Sequence, residues 1–99
     1  MSGPRAMAEV FAERMSVVLA IGEANGVRQR AQAAASGAKI ERMTLDDHPG
    51  AGDAAASLEA AHANEAAAQD CLSAADARIA ELDARLASLD AELAAVAGR

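Results

Sequence analysis

Residues 72–96 read LSAADARIAELDARLASLDAELAAV and contain a seven-residue repeat. Apolar residues recur at that interval in two series, which start at Leu72 and Ala75. Alternating steps of three and four residues place both series on one side of an α-helix. The sequence therefore predicts a long helix with a heptad (coiled-coil) interaction seam, whose members are Leu72, Ile79, Leu82, Leu86, Leu89, Leu93 and Val96.

Charged residues flank this seam in a regular order. Asp83 and Asp90 lie on one side of it, and Arg78 and Arg85 lie on the other. If two copies of the helix pair in parallel, Arg78 meets Asp83 and Arg85 meets Asp90, whereas an antiparallel self-pairing brings like charges together. Each exposed pair contributes only about 0–1 kcal/mol, so the charges favour an orientation and do not drive assembly. We expect the seam to drive it, because burial of one large apolar side chain contributes roughly 1.5–3 kcal/mol.

A turn is predicted near the middle of the chain, because Pro49, Gly50 and Gly52 follow one another closely. Helix 1 is predicted over about 4–43, the loop over about 44–52 and helix 2 over about 53–97. A short loop between two long helices favours an antiparallel hairpin. The predicted fold is therefore all-α, a single domain over residues 1–99, and we expect helix 1 to continue through Asn25 and Gly26.

The hairpin register follows from side-chain volume and charge. Folding about the loop places residue i opposite roughly residue 96 − i, which sets large residues against large ones and small against small. The same register pairs Arg14 with Asp83 and either Glu9 or Glu13 with Arg85. It also places Arg5 near Asp90. Volume and charge thus predict one alignment of the two helices.

Helix 1 carries a second apolar surface in its first half. Large apolar residues between positions 7 and 21 cover more than one side of a helix, so one partner helix cannot bury them all. A two-helix hairpin also buries little apolar area against the entropy of ordering its backbone. We therefore expect self-association into a helical bundle, docking on a larger protein partner, or both. The surface is predicted to comprise Met7, Val10, Phe11, Val18 and Ile21.

Composition limits the classes of function. The net charge of −6 disfavours binding to nucleic acid or to anionic membranes, and no apolar run is long enough to insert across a bilayer. Cys71 is the single cysteine, so no disulfide forms within the chain. Glu9 and Glu13 occupy the region where a secretory signal needs an uncharged apolar segment. The expected location is the cytoplasm, or outside the cell after export without a cleaved signal peptide.

One pattern on helix 2 raises a chemical alternative. Glu59 and His62 form a Glu-x-x-His pattern, and Glu65 lies one turn further along. Metal-binding helical bundles use such a pattern together with carboxylates from other helices, so these three residues are weak metal-ligand candidates. The competing interpretation, which we favour, is a solvated polar surface. No nucleophile, phosphate-loop or Cys-x-x-Cys signature occurs, so neither a cofactor nor an enzymatic activity is predicted.

The expected function is non-enzymatic: a structural or adaptor protein that acts by coiled-coil helix association. One alternative is an exported or phage or secretion-apparatus helical-hairpin subunit, or a chaperone, that buries residues 7–21 on a partner. A metal-binding helical bundle is a remote alternative. The plan of two helices and a central turn is similar to that of small exported helical-hairpin substrates and secretion-needle subunits. The Trp-x-Gly turn of the first group is absent from this sequence, and so is the usual loop pattern of the second.

Overall fold

Two long helices packed against each other make up the computed structural model, which describes residues 5–48 and 53–98. Helix α1 spans Met7–Asp46 and helix α2 spans Ala54–Ala97. Within the described ranges there is no β-strand. The predicted all-α helical hairpin is confirmed, and so is the continuation of the first helix through Asn25 and Gly26.

The first helix ends later than the sequence predicts. Residues 44–46 are helical, whereas the prediction assigned them to the loop. The Thr44 hydroxyl donates a hydrogen bond to the Ile40 carbonyl at 2.9 Å, and the Asp47 amide donates to the Met43 carbonyl at 3.1 Å. The Asp47 bond continues the i to i−4 backbone pattern of the helix, and no proline occurs between positions 4 and 49 to interrupt it. The predicted helix start at Pro4 and the predicted turn residues 49–52 lie outside the described residues.

The chain divides into two compact units. The first unit, the terminal unit, comprises Met1–Asn25 and Asp76–Arg99, and the second, the central unit, comprises Gly26–Ala75. Each unit contains a segment of α1 and a segment of α2. The single-domain assignment of residues 1–99 stays a prediction.

The core of the terminal unit is built from medium and large aliphatic side chains. Val10 and Val17 of α1 lie in one buried cluster with Leu82 and Leu89 of α2. Leu89 is 0% exposed and Val10 is 1% exposed. The other members of the cluster or of its border are Ala20, Ile21, Ala24, Ile79, Leu86 and Leu93. Large residues therefore face large residues here, as the register predicts.

The core of the central unit is built from alanine. Its buried residues are small, so the helix backbones approach closely but little apolar area leaves water. We infer that hydrophobic burial stabilises this unit less than the terminal unit. Five of its buried alanines, Ala31, Ala38, Ala61, Ala68 and Ala75, continue a seven-residue spacing of buried positions along each helix, and Ala35 is buried between two of them.

The ion pairs of the terminal unit agree with the predicted register in one case and depart from it in two. Arg85 donates to Glu13, as predicted. The predicted partner of Arg14 is wrong, because Arg14 Nε donates to Asp90 Oδ1 at 2.7 Å. Helical side chains lean toward the N-terminus of their own helix, so an arginine of α1 reaches a more C-terminal position of the antiparallel α2.

Arg5 also contacts a more C-terminal residue of α2 than the register predicts, but the shift is smaller. Its Nη2 donates to Glu92 Oε2 at 2.6 Å, and its Nη1 donates to Glu13 Oε2 at 2.5 Å. The predicted contact with Asp90 is therefore replaced by a contact two residues further along α2. The Arg5–Glu92 and Arg14–Asp90 pairs join the segment at the beginning of α1 to the end of α2, which supports the antiparallel arrangement within this unit.

Candidate functional site

A group of large apolar side chains of α1 faces solvent in the terminal unit. Phe11 is 53% exposed, Met15 is 66% exposed and Leu19 is 64% exposed. The positions are separated by steps of three or four residues, which bring side chains to the same side of an α-helix. We call this surface the α1 face, and it comprises Met7, Phe11, Met15, Val18 and Leu19.

The α1 face is distinct from the side of α1 that packs on α2. Val10 and Val17 are buried in the core. Phe11 and Val18, which follow them directly, lie about 100° further around the helix and are exposed. A surface helix of a globular protein normally carries polar residues outside its buried stripe. Helix α1 instead has two apolar sides in this unit, and the described residues cover only one of them.

The predicted second apolar surface overlaps the α1 face in part. Met7, Phe11 and Val18 are exposed, as expected for a surface awaiting a partner. Val10 and Ile21 belong instead to the core and its border. Val10 lies seven residues, or almost two full turns, before the buried Val17. The two side chains therefore share the side of α1 that faces the core.

Met15 and Leu19 belong to the surface and are missing from its predicted members. Met15 lies four residues after Phe11, and Leu19 lies four residues after Met15. That spacing is the sequence signal that identifies them. Along the helix axis the face extends for about 18 Å at 1.5 Å per residue, which is more than three turns.

The predicted seam of α2 is occupied within the chain. Leu82 and Leu89 are buried, while Ile79, Leu86 and Leu93 pack at the border of the same cluster. In the same unit Val96 is half-buried, and in the central unit Leu72 is half-buried. A second copy could reach Leu82 and Leu89 only by displacing α1, because these two side chains are buried.

Three of the four charges that flank the seam are also engaged within the chain. Arg85 binds Glu13, and Asp90 binds Arg14. Arg78 Nη1 lies 3.6 Å from Glu81 Oε2 on the same helix. The pairs that a parallel dimer of α2 would use are therefore replaced by contacts inside one hairpin.

Glu13 is the centre of a small ionic network. Hydrogen bonds from Arg85 and then from Arg5 lower the pKa of the Glu13 carboxyl. The pKa of the Arg5 guanidinium is raised by its hydrogen bonds to Glu92 and Glu13. The network connects the first turns of α1 with the last turns of α2 and lies beside the core of the terminal unit.

The weak metal candidates lie in the central unit. Glu59 and His62 are exposed. Arg42 Nε donates to Glu65 Oε2 at 2.8 Å, and this bond lowers the pKa of the Glu65 carboxyl. Among residues 5–48 and 53–98, no group of three or more His, Cys, Asp or Glu side chains lies close enough together to hold a metal ion.

Other surface features of the central unit are modest. A shallow groove of about 550 Å³ is lined mainly by small side chains, with Glu41 and Asn64 at its border. Cys71 is exposed. In the part of the chain that the structure describes, neither helix has the length and apolarity needed to cross a membrane.

No protein-family model, curated protein or solved structure matches this chain.

Proposed function

We propose that this protein is a non-enzymatic structural or adaptor protein that acts by helix–helix association, with the α1 face as its docking surface. The observation that carries the proposal is the exposure of Met7, Phe11, Met15, Val18 and Leu19 on one side of a single helix. Contiguous exposed apolar surface is unfavourable in water and is typical of interaction sites. Docking of another helix would remove it from water.

The proposal assigns different tasks to the two apolar sides of α1. The seven-residue spacing of the buried positions supports coiled-coil packing between α1 and α2 within one hairpin. That packing uses Leu82 and Leu89, which the sequence predicts as contacts between chains. Association with another molecule then depends on the α1 face and not on the seam of α2.

This division of tasks favours a subunit or chaperone that covers its apolar surface with a partner over a scaffold that pairs through the seam of α2. The seam has less apolar area left for a second copy, because Leu82 and Leu89 are buried against α1 and Ile79, Leu86 and Leu93 are partly buried. The α1 face has that area, and it coincides with the surface between residues 7 and 21 that the alternative function requires.

The test measures association of the full chain in two ways. Analytical ultracentrifugation reports self-association, and fluorescence anisotropy reports binding of a labelled, uncharged amphipathic helical peptide. We expect at least one of the two in the wild type. The double variant Phe11→Ser/Leu19→Ser removes two large side chains of the α1 face without adding charge, and it should weaken the association by about tenfold or more.

A matched control replaces exposed apolar side chains of the central unit. Ile40 and Met43 are also solvent-exposed, so Ile40→Ser/Met43→Ser removes a similar apolar area. This control should leave association within about twofold of the wild type, since surface positions outside the docking site contribute little. A wild type that binds neither itself nor the peptide, or a control that weakens binding as strongly as the Phe11→Ser/Leu19→Ser variant, would overturn the proposal.

A further inference from the structure

Every arginine that the structure describes in the terminal unit is engaged within that unit. Its described residues include four arginines, and each lies in an ion pair with a carboxylate. The same residues include eight Asp and Glu side chains. Among these residues carboxylates outnumber guanidiniums two to one, so the described part of the terminal unit carries a net negative charge that would favour a positively charged partner.

Two exposed carboxylates lie at opposite borders of the α1 face. Glu23 follows Leu19 by four residues, so it lies one turn beyond it on the same side of α1. Asp83 precedes Asp90 by seven residues on the same side of α2, and Asp90 binds Arg14 at the edge of the face. A step of seven residues along each antiparallel helix leads from the Arg14–Asp90 contact to positions 21 and 83. From this helical geometry we infer that Asp83 lies along the same edge of the α1 face, near the level of Val18.

We propose that the occupant of the α1 face is an amphipathic helix of another protein, with an apolar stripe flanked by lysine or arginine. The inference rests on the proposed function, because it names the chemistry of the partner for the same docking surface. The apolar stripe would cover Phe11 and its neighbours, and the basic flanks would meet Glu23 on one side and Asp83 on the other. Opposite charges at the border of an interface select the partner and its orientation.

A second copy of this chain fits the same surface less well. Its terminal unit carries the same excess of carboxylates and has no arginine outside an ion pair among the described residues. Bringing two such borders together opposes like charges, which disfavours the complex. A basic helix of about three to four turns matches both the length of the face and its charge.

The experiment uses the full chain and two designed helical peptides of equal length with the same leucine stripe. One peptide carries lysine at the flanking positions and the other carries glutamate. At low ionic strength the lysine peptide should bind about tenfold or more tightly than the glutamate peptide, and the ratio should shrink as salt is added. Fluorescence anisotropy of the labelled peptides measures both affinities.

Variants separate the border of the α1 face from the overall acidity of the chain. Glu23→Lys/Asp83→Lys should reduce the preference for the lysine peptide by about tenfold. Glu59→Lys/Asp70→Lys changes the net charge by the same amount at exposed positions of the central unit. Measured at about 0.1 M salt, where exposed charges act over only about 10 Å, that control should keep the preference within about threefold of the wild type.

The outcomes distinguish this inference from the proposed function. If both peptides bind equally and Phe11→Ser/Leu19→Ser weakens both, the docking surface stands and the basic partner is overturned. A wild-type dimer that is lost in the same serine variant and that excludes both peptides also overturns the basic partner, since the occupant is then a second copy. If the two pairs of lysine substitutions reduce the preference equally, the selectivity comes from net charge and the inference fails. If the chain binds neither itself nor any of the peptides, the proposed function fails as well.

Discussion

Val10 and Phe11 are consecutive in the chain and lie in opposite environments: the first is 1% exposed in the core, and the second is 53% exposed to solvent. Val10→Ser should therefore lower the free energy of unfolding by about 2 kcal/mol or more, because it removes packed methyl groups and buries a hydroxyl. Phe11→Ser should change it by about 0.5 kcal/mol or less. Urea unfolding followed by circular dichroism measures both. Similar losses for the two variants would contradict the assignment of two separate sides to α1.

A second pair of positions tests the α2 side of the same core. Leu89 is 0% exposed, whereas Leu19 is 64% exposed. Leu89→Ala should cost about 2–5 kcal/mol, since it leaves a cavity among Val10, Val17 and Leu82. Leu19→Ala makes the same chemical change at the surface and should cost about 0.5 kcal/mol or less. Thermal unfolding curves of the two variants at one protein concentration provide the comparison.

The regular part of the fold could be predicted because α2 repeats a simple pattern. Leu82 and Leu89 mark the buried side of α2 unambiguously, as most other large apolar residues of that helix lie in the same stripe. In α1, Val10 and Phe11 are both large and apolar, and helical periodicity alone does not say which of two apolar sides meets α2. Only the packing of the hairpin separates the core residues from the exposed ones.

The ion pairs show a second limit. Sequence reasoning placed Arg14 near Asp83, whereas its side chain reaches Asp90. Register arguments compare backbone positions, but a long arginine side chain leans along its helix by a turn or more. The shorter side chains of the core still meet as large residues against large residues, in one cluster of Val10 and Val17 with Leu82 and Leu89. The partners of charged residues beside the core are therefore harder to predict than the members of the core.

The ionic network around Glu13 makes stability depend on pH. Arg85 and Arg5 hold the pKa of the Glu13 carboxyl below its ordinary value, so the contribution of this carboxylate is complete above the ordinary glutamate pKa of about 4.3. It is lost as the pH falls through the lowered pKa of the folded state. Acid-induced unfolding of the wild type should thus require a lower pH than unfolding of a variant that lacks the Glu13 carboxylate.

The corresponding variant is Glu13→Gln, which keeps the shape of the side chain and removes its charge. It should lower the urea midpoint at neutral pH and flatten the dependence of stability on pH in the acid range. Glu9→Gln, at an exposed position four residues earlier, serves as the control and should preserve both. A carboxyl titration by NMR that placed the pKa of Glu13 above the ordinary range would refute the proposed role of the network.

The Arg42–Glu65 pair gives the central unit a similar test. Glu65→Gln should reduce stability at neutral pH, since Arg42 then loses a charged hydrogen-bond acceptor. His62→Ala, at an exposed position one turn away, should change stability by about 0.5 kcal/mol or less. Zinc added to the wild type should leave the unfolding midpoint unchanged. A midpoint that rises with zinc and loses that rise in His62→Ala would instead support the metal-ligand interpretation of Glu59, His62 and Glu65.

Because the seam of α2 packs on α1 of the same chain, the effect of a seam substitution on helicity should not depend on protein concentration. If Leu82 packs on α1 of its own chain, Leu82→Asp should lower the helicity of the monomer, because it buries a charge among Val10, Val17 and Leu89. The loss should be the same at low and high protein concentration. A seam formed between two chains would behave differently, since unfolding of an oligomer shifts with concentration by mass action.

Circular dichroism across a hundredfold concentration range distinguishes a seam within one chain from a seam between two chains. The measurement uses the Phe11→Ser/Leu19→Ser background, which suppresses association through the α1 face. A midpoint that rises with concentration in that background would show that α2 pairs between chains.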